Sequence, residues 1–75
     1  MNIVRAGAET RQVAADLAAY GVGWTDAVYG DTEAEHRRAQ ARASARAKTL
    51  AKIFGTPVHY VTAWDDDVRL FVFYR

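Results

Sequence analysis

The chain has 75 residues, a formal net charge of +1 and 51% hydrophobic residues, a composition that excludes disorder as the default and fits one small domain. A charge so close to zero gives no argument for strong nonspecific nucleic-acid binding by the whole molecule. The absence of cysteine excludes disulfides and thiolate metal sites. No apolar run reaches the ~18 residues of a membrane span, and a signal-peptide pattern is absent. We therefore expect a cytoplasmic protein without membrane association.

The N-terminal part of the sequence predicts one helix between two short extended segments. Residues 1–6 have the character of a short strand or an ordered arm. Residues 9–20 carry apolar side chains at helical spacing, and Gly21 follows as a helix terminator. Residues 22–29 alternate in the manner of a strand, which we predict there, with a helical turn as the alternative.

Residues 32–54 form the strongest helix prediction in the chain. Thr32 and Glu35 have the spacing of a capping box, in which the threonine hydroxyl accepts a hydrogen bond from the amide of residue 35. Gly55 follows as a left-handed terminator, and Pro57 prevents the helix from resuming. Alanine dominates the segment and no glycine or proline interrupts it, so intrinsic helix propensity agrees with both end signals.

This long helix has an apolar stripe and a basic face. The stripe, mostly alanine, is expected to pack on a sheet or another helix. Acidic residues three or four positions away in the helix can pair with only some of the basic residues on the opposite face. A solvated face is the simplest interpretation, and contact with a polyanion or an acidic partner is the alternative. The residues assigned to that contact are Arg38, Arg42, Arg46 and Lys52.

The C-terminal segment predicts a β-hairpin. Residues 58–64 and 68–74 are rich in β-branched and aromatic side chains, and the acidic stretch 65–67 forms the loop between them. Pairing of Trp64 with Val68 would then set the register of the two strands. The same acidic stretch lacks the spaced oxygen ligands and the glycine of a calcium loop, so we predict no metal site there.

Both faces of the last strand are apolar. A strand with one face in water should instead alternate apolar and polar residues. We assign the face with Trp64, Leu70 and Val72 to the helices. The other face then stays partly uncovered, unless the N-terminal arm or residues 22–29 fold over it. An exposed apolar patch with a polar rim marks an interaction surface. The predicted partner-binding residues on this face are Phe71, Phe73, Val61, His59 and Arg69.

The sequence contains no recognisable catalytic constellation. His36 and His59 have the only side chains whose unperturbed pKa lies near neutrality, and neither has a nucleophile at a recognisable spacing. Ser44 is the one serine and falls on the polar side of the long helix. We therefore expect a protein that is not an enzyme and that binds no cofactor.

These observations predict a small α+β domain: an N-terminal helix, a short strand, the long basic helix and a C-terminal hairpin, with the helices on one face of a small sheet. The expected function is that of a non-enzymatic interaction protein that binds and modulates a host protein. The size and composition of the chain suit a phage-encoded protein. A homodimer through the exposed sheet face is also expected. The alternative is a DNA- or RNA-binding regulator that uses the basic face of residues 32–54.

Overall fold

The structure, a computed structural model, describes residues 7–26, 32–66 and 68–75. The predicted arm at 1–6 and the end of the predicted strand 22–29 lie outside these ranges. The predicted α+β class is confirmed, with a three-stranded antiparallel sheet in the order β1-β3-β2. In chain order the elements are α1 (Ala8–Tyr20), β1 (Val22–Asp26), α2 (Glu33–Phe54), β2 (His59–Asp65) and β3 (Val68–Tyr74).

Helix α1 ends in a tight turn that lays it directly on β1. Gly21 has a φ of 79°, a left-handed conformation, and its N–H donates to the Leu17 carbonyl over 2.9 Å. Gly23 then lies so close to α1 that a Cβ on it would be 3.0 Å from Val13 Cγ1. Glycine at this position therefore permits the close packing of helix on strand.

Helix α2 begins and ends where its capping residues predict. The Thr32 hydroxyl accepts a hydrogen bond from the Glu35 amide over 3.2 Å. Gly55 closes the helix with a φ of 69°, and its N–H donates to the Ala51 carbonyl over 2.8 Å. The capping residues thus fix a 22-residue helix within one residue of the predicted bounds.

The core lies between the two helices and the sheet. Leu17, Leu50 and Phe73 contribute one large side chain from α1, α2 and β3, and each is 0% exposed. The Tyr60 ring packs edge-on against Phe71, with 5.7 Å between ring centroids. Small side chains let α2 approach this layer closely, and its buried alanines are Ala39, Ala43 and Ala47.

The hairpin loop is one residue shorter than predicted. Val68 pairs with Asp65, and Trp64 pairs with Arg69, so only positions 66 and 67 lie between the strands. Asp66 has a φ of 53°, the left-handed conformation that two-residue hairpin loops use. The predicted pairing of Trp64 with Val68 is therefore wrong by one position, and such a slip moves side chains of one strand to the other face.

As a result, the prediction of an uncovered Phe71 and Phe73 is wrong. Phe71 is 3% exposed and Phe73 is 0% exposed, because both point at the helices. Leu70 and Val72, which were assigned to the helices, lie on the opposite face. Trp64 does share the helix side with Phe71, but it lies near the hairpin end and is 67% exposed.

Strand β1 explains why the helices cover this face. Gly23 is the register partner of Phe73, and Thr25 is the partner of Phe71. Paired residues share a face, so β1 presents its smallest side chains beside the two phenylalanines. Helix α1 can approach the sheet only on that side.

Candidate interaction surfaces

The side of the sheet away from the helices is apolar and uncovered by any residue that the structure describes. We call this surface the open face. Four of its side chains are large and exposed, namely Trp24 at 58%, Val61 at 48%, Val22 at 43% and Tyr74 at 39%. Half-buried apolar side chains lie between them, and His59 forms part of the rim. The described side chains of the open face are those of Val22, Trp24, His59, Val61, Ala63, Leu70, Val72 and Tyr74.

Strand register orders these residues into rows across the sheet. The central row is Trp24, Val72 and Val61, with no polar side chain. In the row next to it, Tyr74 pairs with His59, and their rings lie 5.4 Å apart between centroids. With strands ~4.8 Å apart and ~3.4 Å per residue, the open face covers on the order of 300 Å².

The predicted partner-binding residues are divided between the two sides of the sheet. Val61 and His59 lie on the open face, whereas Phe71 and Phe73 belong to the core. Arg69 lies on the helix side, where its Nη1 donates to His36 Nδ1 over 3.0 Å and its guanidinium lies 5.7 Å from the centroid of the Phe71 ring. An arginine can only donate, so His36 Nδ1 is the acceptor in this bond.

The sequence interpretation missed the most exposed aromatic residue of the open face, which is Trp24 on the edge strand β1. The signal was present in β1, where the small residues Gly23 and Thr25 alternate with Val22 and Trp24. A glycine in a strand indicates a close approach of another chain segment, so the helices belong on the Gly23 side. The large residues of β1 must then face away from them.

The basic surface of α2 is solvent-exposed along most of its length. Arg38, Arg42 and Lys52 are exposed, and no carboxylate in the described ranges lies within 4.0 Å of them. Arg46 is different. Its Nε donates to the Thr10 hydroxyl over 3.0 Å, and its Nη2 lies 3.2 Å from Glu9 Oε2, so this side chain is part of the junction with α1.

A cleft of about 500 Å³ lies where the C-terminal half of α2 meets the start of β2. It connects the two surfaces, because Lys48 comes from the basic side of α2 and His59 from the rim of the open face. Ala47 and Val58 supply part of its apolar wall. The cleft therefore extends the open face towards the helix and does not form a separate enclosed site.

Comparison of the chain with models of protein families, with curated proteins and with solved structures gives no match. Neither helix in the described ranges is long and apolar enough to cross a bilayer. Within the same ranges, no three histidine, aspartate or glutamate side chains form a group suited to a metal ion. The functional argument therefore rests on the geometry of the two surfaces.

Proposed function

We propose that this chain is a non-enzymatic interaction protein that binds a protein partner through its open face. The observation that carries the proposal is the central row of Trp24, Val72 and Val61. An antiparallel sheet with one face in water should place polar residues there, and this one places a tryptophan that is 58% exposed. Exposed apolar patches of this kind are characteristic of interaction sites.

The chemistry of the open face favours protein over nucleic acid. Its described side chains include no arginine or lysine, so it offers no group that would neutralise phosphate. Protein interfaces, by contrast, concentrate aromatic residues at the centre and exclude charge from it. Tryptophan is among the side chains that contribute most to such interfaces, and Trp24 is the most exposed large apolar side chain of the open face. We extend the proposal to a host protein as partner, on the basis of the chain's size and composition alone.

The test uses Trp24 both as the contact and as the reporter. In a Trp64→Phe background, Trp24 is the only tryptophan. Partner proteins captured from the source cell should shift its fluorescence to shorter wavelength on binding, because the ring leaves water. Trp24→Lys should abolish capture, whereas Arg42→Glu, on the opposite side of the molecule, should leave it unchanged. Capture that survives Trp24→Lys would contradict the proposal.

The second candidate is a DNA- or RNA-binding regulator that uses the basic surface of α2. Arg38, Arg42 and Lys52 support it because all three are exposed and free of acidic partners in the described chain. Arg46 is left out of this set because its side chain is held by Thr10. Three phosphate contacts would give a slope of about −2.7 in log K against log salt on duplex DNA.

A filter-binding titration decides this second candidate. Wild-type protein should retain DNA or RNA at low salt, and the double variant Arg38→Glu/Arg42→Glu should not. Trp24→Lys serves as the matched control and should bind as the wild type does. Absence of retention at low salt would eliminate the nucleic-acid proposal.

A further inference from the structure

Strand β2 is an edge strand without the features that usually protect such an edge. In the described chain no strand lies beyond it, and β3 occupies only its inner side. Natural sheets protect edges with lysine, proline, bulges or short strands. From His59 to Trp64 the strand contains no lysine, arginine or proline, and its pairing with β3 runs through seven consecutive positions without a bulge. As far as residues 7–26, 32–66 and 68–75 show, this edge is therefore free to pair with another strand.

The hairpin loop determines which main-chain groups face that edge. A two-residue loop closes on a hydrogen-bonded pair, which here is Asp65 with Val68. Hydrogen-bonding direction alternates along a strand, so residues 59, 61, 63 and 65 direct their N–H and C=O groups at β3. The groups of Tyr60, Thr62 and Trp64 consequently point away from the sheet, to the free edge.

We propose that a second copy of this chain pairs antiparallel with β2, with Thr62 on the two-fold axis. Thr62 then lies opposite Thr62 of the second copy, and Tyr60 lies opposite its Trp64. All three outward-facing residues become hydrogen-bonded pairs, which gives about six main-chain hydrogen bonds between the copies. On the other face of the sheet, Val61 lies opposite Ala63, and His59 comes to the register position opposite Asp65.

The side chains of β2 are complementary to themselves in this register. Threonine pairs and aromatic pairs are among the cross-strand combinations that stabilise antiparallel sheets. A shift of the pairing by one residue would place each outward-facing residue of one copy opposite a residue whose N–H and C=O point at its own β3. Such a register would form no hydrogen-bonded pairs and would also lose the threonine pair. The exposure of Trp64, 67% on the helix side of the sheet, also finds its explanation, because the ring gains Tyr60 of the second copy as a neighbour.

The dimer would join two sheets into one of six strands, with all four helices on the same side. The open faces of the two copies then become continuous and cover on the order of 600 Å². This approaches the ~800 Å² per partner of a stable protein interface, which the open face of one copy does not. The pairing itself does not depend on the function proposed above, because it uses the edge of β2 and no residue of β1.

Sedimentation equilibrium tests the dimer. The wild type should show a concentration-dependent monomer–dimer equilibrium. Thr62→Lys places like charges directly opposite each other and should raise the dissociation constant by at least about tenfold, whereas Thr62→Val should stay within about threefold of wild type. Trp24→Lys should dimerise normally, which separates this test from that of the open face. A wild-type chain that is monomeric at its highest soluble concentration would overturn the proposal, and so would a dimer insensitive to Thr62→Lys.

Amide hydrogen exchange in the wild type gives an answer that needs no folded variant. The amides of Tyr60, Thr62 and Trp64 have no strand partner among the described residues of one copy, so we expect their protection to appear only as concentration rises. The amides of Val61 and Ala63, bonded within the hairpin, provide the internal control and should be protected at every concentration. Fast exchange of the three outward amides in a sample shown to be dimeric would place the interface elsewhere and overturn the proposal. Protection that appears only with a different protein added would do the same.

Discussion

The Nε atom of Arg46 donates a hydrogen bond to Thr10 Oγ1 over 3.0 Å, across 36 positions of sequence. The same guanidinium reaches Glu9 Oε2 over 3.2 Å, and its side chain is only 19% exposed. One residue of the predicted phosphate-binding set therefore joins α2 to α1. A basic residue on a helix face is not necessarily available to a ligand. The burial of its side chain and the partners that this side chain contacts decide whether it is.

Replacing Arg46 with methionine should reduce the free energy of unfolding by about 1–2 kcal/mol, because a largely buried charged donor and its bond to Thr10 are lost. The contribution of Glu9 should be small, since its side chain is 57% exposed and Glu9→Gln should change stability by at most about 0.5 kcal/mol. Arg42→Met provides the matched control on the exposed face and should stay within about 0.5 kcal/mol. Urea unfolding followed by circular dichroism measures all three. Equal effects at positions 42 and 46 would contradict the structural role of Arg46.

Gly23→Ala should destabilise the protein by about 1–3 kcal/mol, because the new methyl group overpacks the junction of α1 and β1. Its Cβ would lie 3.0 Å from both Val13 Cγ1 and the Val13 carbonyl oxygen, and 3.3 Å from Asp16 Cβ. The loss should be smaller when Val13→Ala is already present, since one of these contacts is then removed. A double-mutant cycle in urea measures this coupling, and an unaltered or higher stability of Gly23→Ala would show that the contact is not close.

Phe73→Ala and Trp24→Ala test which face of the sheet the helices cover. Phe73 is 0% exposed, so its truncation should cost about 3–5 kcal/mol. Trp24 carries the larger ring but is 58% exposed, and its truncation should cost less than about 1 kcal/mol. The two variants are compared by chemical denaturation of dilute protein, so that self-association does not contribute. A larger loss for Trp24 than for Phe73 would reverse the assignment of faces.

The elements of this fold could be predicted from local sequence, because their signals are local. Thr32 and Gly55 fix the ends of α2 through hydrogen bonds to residues three or four positions away. Gly21 ends α1 in the same way. The existence of the hairpin followed from the density of β-branched and aromatic residues on both sides of an acidic loop. None of these inferences required knowledge of a distant contact.

The faces of the sheet could not be assigned by the same means. Alternation of apolar and polar residues shows which face of a strand is buried only when the other face is polar. From Leu70 to Tyr74, β3 is apolar on both faces. The three aspartates at 65–67 contain no glycine to fix the loop length, so a two-residue and a three-residue loop were equally compatible with the sequence. That single choice exchanged the exposed and buried residues of β3. The pairing of β1 with β3, which brings Gly23 beside Phe73, is a long-range contact and carried the missing information.

Thr25 lies at the same junction and leads to a further expectation. Its side chain is 3% exposed, and its Oγ1 has no hydrogen-bond partner among the residues that the structure describes. A buried hydroxyl without a partner opposes folding, and valine has the same branched shape and is likewise favoured in strands. Thr25→Val should therefore raise the free energy of unfolding by about 1 kcal/mol. Thr62→Val, at an exposed site, is the matched control and should change it by at most about 0.5 kcal/mol in dilute protein. A loss of stability on Thr25→Val, measured by urea unfolding, would mean that the hydroxyl forms a hydrogen bond in solution.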